Sequence, residues 1–417
     1  MPQAPQEVVG ESQPNSPAPS TESPPIPPGA LPSARPSLYV HLPFCKSRCR
    51  YCDFNAWAWR GQSFVELVDD LLLEAESRAA GLEPQTVFLG GGTPSLLPPE
   101  QILRLLDGLN SITEFRSSSC ESTMEANPES FDSKAAEAAL RGGLNRISIG
   151  AQSFRTPVLA AYDRPHGPKE IEGAVSAAKG AGISNINIDL IFGFPGQQPV
   201  EWEEDLRRAI DLGPQHLSCY ELTFEPGTAL TLKKEAGRIK PEDPDICAHL
   251  FEKTRDICGE SGFERYEVSN FARPGMACLH NLAGWRRFPL VGIGPGAASW
   301  SKKAHRKNIE DPAKWRESLR SGGGGLGETA EPTPLVSLFE HLMMGLRLER
   351  EGASLDWAES ISGVNAFDLP GKPVQKLINR CLLEIVDVGG ERFLRATDRG
   401  FPLLDRILED LLPEKGG

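Results

Sequence analysis

Along residues 37–222, short apolar runs alternate with longer stretches in which apolar side chains recur every three or four positions. The runs at 38–42, 86–89, 120–125, 145–149, 185–191 and 216–222 predict strands. The stretches between them, among them 63–80, 98–112, 168–180 and 199–211, predict amphipathic helices. Six β/α units in series imply a parallel sheet covered by helices. Periodicity alone does not separate a barrel from an open doubly wound sheet. The unusual residues favour a barrel-like form. Cys45, the Gly90-Gly91-Gly92 run, Glu125, Gln152, Asp189 and Thr223 fall at or near the C-terminal ends of successive strands, where parallel β/α folds build their sites. The expected class is α/β, a partial (β/α)6 barrel with a small C-terminal domain.

Beyond the sixth unit the pattern weakens. Residues 264–301 are rich in glycine and aromatics and are expected to complete the core domain, 37–301. The run Gly322 to Gly325 reads as a flexible turn inside a linker, 302–333. Helical periodicity returns at 334–350 and 372–383, followed by strand candidates 384–388 and 392–396 and a helix at 397–412. This predicts a helical, winged-helix-like domain over 334–417. That domain carries 10 Lys/Arg against 14 Asp/Glu, and the whole chain has a net charge of −13, which argues against nucleic-acid binding. No apolar run approaches the roughly 18 residues that a membrane span needs. Residues 1–36 hold 11 prolines and one basic residue, Arg35. They are expected to form a disordered tail; Glu7, Glu11 and Glu22 do not suit a mitochondrial transit peptide. The chain has nine cysteines, an odd number with three clustered, which fits a reduced cytoplasm better than a disulfide framework.

The cluster is Cys45, Cys49 and Cys52, spaced C-x3-C-x2-C directly after the first strand. Three readings compete. A zinc site wants four ligands, and His41 is the nearest candidate for the fourth. Buried structural cysteines are the second, though three thiols on one tight loop do not suit it. The third is three corners of a [4Fe–4S] cube with the fourth iron left open, and the pattern favours it. Gly90-Gly91-Gly92-Thr93-Pro94-Ser95 lets backbone approach a ligand, or forms a plain tight turn. It is not G-x-G-x-x-G, so no dinucleotide site is expected. Glu125 at a buried strand end needs a cation or donor, unless it is a solvated loop-edge carboxylate. Asp189, an acid inside an apolar strand, needs a partner such as a ribose diol. Arg164 could meet a carboxylate bidentately or lie on the surface.

A C-x3-C-x2-C loop after a first strand resembles the radical S-adenosylmethionine (SAM) superfamily. In that family the open iron binds the amino and carboxylate groups of SAM, and one electron from the cluster cleaves it. Tyr51 matches the aromatic that the family places against the adenine. The motifs Tyr39-Val-His-Leu-Pro-Phe-Cys45, Gly-Gly-Gly-Thr-Pro-Ser, Met-Glu-Ala-Asn-Pro, Ser-Ile-Gly-Ala-Gln-Ser-Phe, Asp-Leu-Ile-Phe-Gly-Phe-Pro-Gly-Gln and Tyr266-Glu-Val-Ser-Asn-Phe-Ala-Arg-Pro-Gly275 occur in order. Together they resemble the oxygen-independent coproporphyrinogen III dehydrogenases and their relative, the heme chaperone HemW. The resemblance implies cluster ligation by Cys45, Cys49 and Cys52. It implies SAM contacts at Tyr39, Gly91, Gly92, Thr93, Glu125, Gln152, Arg164, Asp189 and Thr223, and an electron donor for the cluster.

Two details separate the branches. The dehydrogenases resemble C-x3-C-x2-C-x-C, and Phe54 stands here at the fourth cysteine's position. Cys278-Leu-His-Asn-Leu-Ala-Gly-Trp285 resembles the chaperone signature H-N-x-x-Y-W, which makes His280 a candidate heme contact or, on the bland reading, a locally bonded loop histidine. The chain departs from the signature at Gly284, where the tyrosine would be. The resemblance thus implies a heme chaperone with heme, [4Fe–4S] and SAM, delivering heme to apoproteins; no residue is assigned a catalytic role. The alternatives it leaves are a coproporphyrinogen III oxidase and another tetrapyrrole-acting radical SAM enzyme.

Overall fold

The computed structural model describes residues 35–117, 120–302 and 304–412; most of the expected tail, residues 1–34, lies outside the described residues. The six expected strands form as β1 (Ser37–Leu42), β2 (Thr86–Gly91), β3 (Glu121–Ala126), β4 (Arg146–Gln152), β5 (Asn185–Phe192) and β6 (His216–Glu221). They pair in parallel in chain order, with Ser37 beside Thr86 and Leu42 beside Gly91 in the first pair. Between them run α1 (Phe64–Arg78), α2 (Pro99–Thr113), α3 (Ser133–Arg141), α4 (Pro168–Ala181) and α5 (Pro199–Asp211). The order is that of a partial (β/α)6 barrel.

The sheet has two unlike faces, because successive side chains on a strand point to opposite sides. Leu38, Val40, Val87, Leu89, Met124, Ile147, Ile149, Ile186, Ile188 and Leu217 are buried and share one apolar core with Leu71, Leu105, Leu106 and Leu206 of the helices. The alternate residues are polar and almost as buried: His41, Thr123, Arg146, Ser148, Asn187, His216 and Ser218. Several of them bond one another, while Thr123 Oγ1 and Arg146 Nε have no hydrogen-bond partner among the described residues. Asn187 Nδ2 donates to Ser148 Oγ at 2.7 Å and to Asp189 Oδ1 at 2.8 Å, while Ser218 Oγ donates to Asn187 Oδ1 at 3.2 Å.

The sheet grows past the six strands on both sides. The added strands are β7 (Glu264–Arg265), β8 (Asn270–Ala272), β9 (Leu290–Ile293), β10 (Ala298–Trp300), β11 (His305–Asn308) and β12 (Leu326–Ala330). The full order is β12-β11-β10-β9-β1-β2-β3-β4-β5-β6-β8-β7, twelve strands in all. Residues 302–333, expected to be a linker, therefore hold β11, β12 and, between them, α8 (Pro312–Arg320). The reason is a buried carboxylate that sequence periodicity does not reveal. Glu74 of α1 accepts from Gly294 N at 2.8 Å, Asn308 Nδ2 at 2.7 Å, Trp315 Nε1 at 3.1 Å and Arg78 Nη1 at 2.8 Å. One side chain thus ties α1 to β9, β11 and α8. Asp70, one turn earlier, receives Arg316 and Arg320 at 2.6 and 2.8 Å.

Among the described residues four further helices of the core domain escape the simple pattern: Thr156–Tyr162, Ala229–Glu235, α6 (Pro244–Glu260) and α7 (Leu279–Trp285). The C-terminal domain begins with α9 (Pro334–Gly345), adds helices over 355–362, 373–379 and 404–411, and carries a three-stranded sheet of 353–354, 391–396 and 383–388. Its own core includes Leu338, Leu342, Leu377, Leu394 and Ile407. The expected helices there are shorter than the periodicity suggested. The last begins at Leu404, because Phe401-Pro402-Leu403 first makes a 3-10 turn.

Replacing Glu74 by Ala strands the Asn308, Trp315 and Arg78 donors without an acceptor. A loss of about 3 kcal/mol is expected, the scale for breaking a buried, hydrogen-bonded charge pair. Urea unfolding of wild type and Glu74→Ala reads it; a difference below about 1 kcal/mol would show that α1 does not anchor the extension.

Candidate functional site

β1 ends at Leu42, and the chain turns through Pro43 into Phe44 and Cys45, which pair in parallel with Trp57 and Ala58. The loop between them is closed by Trp57 N donating to Pro43 O at 2.7 Å and Trp59 N to Cys45 O at 2.7 Å. The glycine run lies against its start: Gly92 N donates to Leu42 O at 2.7 Å and Thr93 N to Phe44 O at 2.9 Å. A Cβ at Gly92 would stand 2.8 Å from both carbonyl oxygens, so this approach requires glycine. Thr93 Oγ1 donates to Cys45 Sγ at 3.3 Å. Burial pushes the Cys45 thiol up to about 11 and moves Cys49 and Cys52 in the same direction. Without metal all three are protonated thiols, and iron must displace their protons to bind.

The zinc alternative loses its nearest fourth ligand. Both ring nitrogens of His41 are engaged, Nδ1 with Tyr39 OH and Nε2 with Asn55 O, each at 2.9 Å. Among the described residues no group of three or more His, Cys, Asp or Glu side chains is gathered to hold a single metal ion. A cube bridging three thiols on one loop does not require such a gathering.

A hydrogen-bonded chain runs from the loop into the sheet. Arg164 donates to Tyr51 OH through Nη2 at 2.7 Å and to Asn127 Oδ1 through Nη1 at 2.8 Å. Asn127 Nδ2 donates to Thr93 Oγ1 at 3.1 Å. Tyr51, Arg164, Asn127, Thr93 and Cys45 are therefore one connected set. Arg164 is thereby engaged within the chain by the aromatic residue, and Tyr51 also packs edge-on against Tyr162, ring centroids 4.9 Å apart.

Tyr39, Gly91 and Glu125 line a cavity of about 620 Å³, together with Phe54 and Trp57 of the cysteine loop and Lys307 of β11. Glu125 Oε2 accepts from Gly91 N at 3.1 Å. Burial, and next the carboxylate of Asp189, push the Glu125 carboxyl up to about 7. Among the described residues it has no ion-pair partner. A carboxyl in this state suits an incoming ammonium group, whose charge would ionise it. Gly91 has φ +108° and a Cβ there would meet the His41 ring at 2.5 Å, so no other residue fits this wall. An unpaired carboxyl and a glycine wall in one open cavity, which the loop carrying the three thiols also lines through Arg48, Phe54 and Trp57, are a donor set that fits a cluster with SAM at its open iron.

The remaining expected contacts are placed less uniformly. Gln152 is buried with a left-handed φ of 66°, at a bulge in the β4–β5 ladder. The next residue is locked: Ser153 Oγ donates to Asp205 Oδ2 at 2.5 Å and Phe154 N to Asp205 Oδ1 at 3.0 Å. Asp189 lies inside β5 rather than at its end and already accepts from Ser148 and Asn187. Thr223 is exposed on the loop after β6.

His280 is not with this group. It lies at the opposite end of the strands, where Nδ1 bonds Thr86 Oγ1 of the first residue of β2 at 2.7 Å. Five residues of strand separate Thr86 from Gly91, about 16 Å. The ring stacks on Phe88, centroids 4.7 Å apart, and lies 6.4 Å from Tyr39. Burial, and next the Arg146 cation, lower its pKa to about 3, so the imidazole is neutral. Its helix, α7, starts on Glu121 of β3, which accepts from Leu279 N and His280 N at 3.0 Å each. Its far end is tied to the C-terminal domain. Arg286 is bidentate to Glu351 at 2.8 and 2.6 Å, and Arg287 reaches Ser337 O at 2.8 Å and Glu340 at 2.6 Å.

Asn127, Glu121 and Arg146 carry much of this geometry and were not singled out from sequence. Asn127 sits inside the Met-Glu-Ala-Asn-Pro motif, which was a usable signal. Glu121 and Arg146 begin strands β3 and β4, where charge reads as loop edge.

The sequence profile of the Radical SAM superfamily matches residues 39–209. The heme chaperone HemW of Synechocystis is 36% identical over 337 residues, 78% of this chain and 80% of the relative. The mouse protein named radical S-adenosyl methionine domain-containing protein 1, mitochondrial, is 33% identical over 95% of this chain and 91% of its own length. The solved structure of Escherichia coli coproporphyrinogen III oxidase, a radical SAM enzyme, matches with a TM-score of 0.76 at 25% identity, covering 90% of each chain.

Glu125 makes a pH prediction. Its folded value of about 7 lies above the ordinary 4.5, so between these values the folded state holds the extra proton. This contribution favours the fold at low pH and is lost as pH rises through about 7. Glu125→Gln keeps an acceptor for Gly91 N and should flatten the fall in melting temperature of the metal-free protein between about pH 5 and pH 8. Melts over a pH series test this, and parallel curves for the two proteins would refute it.

Proposed function

Since this chain belongs to the radical SAM superfamily, in the branch of the heme chaperone HemW and its coproporphyrinogen oxidase relatives, we propose that it binds heme and delivers it to apoproteins. In this reading Cys45, Cys49 and Cys52 hold a [4Fe–4S] cluster, which when bound supplies an open iron and one-electron chemistry. Glu125 takes the ammonium of SAM, while Gly91 and Gly92 give it backbone room. Tyr39 bounds the cavity, Gln152 is a further SAM contact, and Asp189 and Thr223 serve the ribose side. Thr93 holds the Cys45 sulfur, and through Asn127 so do Arg164 and Tyr51. An electron-donor protein approaches the exposed side of the cysteine loop. The setting is a reducing cytoplasm, in keeping with nine cysteines that are all free thiols.

The observation that carries the heme reading is His280. A neutral imidazole, its Nδ1 fixed by Thr86 and its ring fixed on Phe88, is the form that ligates iron. Phe54, 61% exposed, stands where the porphyrinogen enzymes carry a fourth cysteine. The fold match to coproporphyrinogen III oxidase supports the rival reading, oxidative decarboxylation of coproporphyrinogen III. Protoporphyrinogen formed from that substrate under anaerobic conditions would decide for the rival.

Heme titration after anaerobic reconstitution tests the carrier reading. His280→Ala should raise the heme Kd at least about tenfold. Cys45→Ala should lose cluster iron and sulfide yet keep heme, because the two groups occupy opposite ends of the strands. Unchanged heme affinity in His280→Ala removes the proposed ligand.

A further inference from the structure

The space under α7 is a cavity of about 410 Å³ between the sheet and the C-terminal domain. His280 lines it from the sheet side and Met344 and Arg347 from the C-terminal domain. Trp285 and Phe288 give it aromatic walls. Gly284 lines it too, and a Cβ there would meet nothing within 4 Å, so the residue that departs from the family signature leaves open room.

Three buried polar atoms of this lining have no partner: Ser37 Oγ, Asn270 Oδ1 and Trp285 Nε1. Ser37 and Asn270 are each more than nine-tenths buried. An orphaned buried donor or acceptor costs about 1–3 kcal/mol, so three in one cavity point to a ligand or ordered water that completes them. The lining is amphiphilic. Its single cation is Arg347, whose guanidinium lies 5.7 Å over the Trp285 ring and donates to Met343 O. A flat apolar body with a carboxylate edge matches an aromatic slot with one cation. The lining also holds Tyr220 and the Glu267 carboxyl, which already accepts from Ser269 N and Asn270 Nδ2. The imidazole of His280 and the thioether of Met344 stand beside them, a donor pair that heme iron accepts.

We infer that the C-terminal domain completes the heme site, with Met344 as the second iron ligand opposite His280 and Arg347 as the partner of a heme carboxylate. This rests on the heme reading above. The helix that carries Met344 is held in place by the Arg287 contacts to Ser337 and Glu340, so the two ligands are presented by elements already clamped together.

The test titrates the full chain with hemin and records absorption and electron paramagnetic resonance spectra. Wild type should be low-spin, with the far-red charge-transfer band of a thioether on ferric iron. Met344→Leu, a volume-conserving change that the fold tolerates, should lose the band and turn high-spin while keeping heme. Arg347→Gln should keep the wild-type spectrum and raise the Kd about tenfold, the scale of one charge-assisted hydrogen bond. Variants that match wild type in spectrum and Kd, while His280→Ala loses heme, overturn this inference and leave the carrier reading standing. A wild-type chain that takes up no heme overturns both.

Discussion

The structure depends on keeping charge buried on one face of a sheet whose other face is oil. Arg146, Glu121, Asp189 and Glu125 all sit on that inner face; Glu121 and Asp189 favour the Arg146 cation, Ser148 and Asn187 donate to Asp189, and Glu125 is left without an ion-pair partner among the described residues. Burial alone opposes every one of these charges, yet Arg146 stays cationic beside the carboxylates of Glu121 and Asp189. The same cation helps keep His280 and His216 neutral. Glu121 uses its remaining valence to start α7. A wholly apolar inner face would make a firmer core, since replacing buried ion pairs by hydrophobic residues is often neutral or stabilising. The polar face therefore reads as a functional surface that folding has to accommodate.

That face has two working ends. At the C-terminal ends of the strands the cysteine loop, the glycine run and Glu125 surround one cavity. At the N-terminal ends α7 closes a second, with Tyr39 and Phe88 between. The proposed handling of SAM and of heme assigns one to each. With that assignment the two groups would lie apart, unlike a reactive site in which substrate lies directly over the cofactor.

The six core strands and their main helices were legible because alternation and amphipathic period are strong over these lengths, and the cysteine spacing with its strand-end partners pointed to the site. What sequence concealed was long-range and polar. Residues 302–333 look like a linker because β11 and β12 are short and polar, and only the reach of Glu74 across more than two hundred residues turns them into sheet. Arg164 and Tyr51 were legible as candidate site residues, but not that they bond each other. His280 was legible by motif, while its removal from the cysteine end follows from a helix that starts on Glu121, which no local pattern reports.

Arg286 and Arg287 have a consequence for how cargo could leave. They fasten the lower cavity with ion pairs that join two separately cored bodies, and such fastenings can be undone without unfolding either body. The same two bodies are also joined by Arg265 to Glu349 and by Arg350 to Glu264, so the wall of the lower cavity is held at more than one place and parting it means breaking several charged contacts at once.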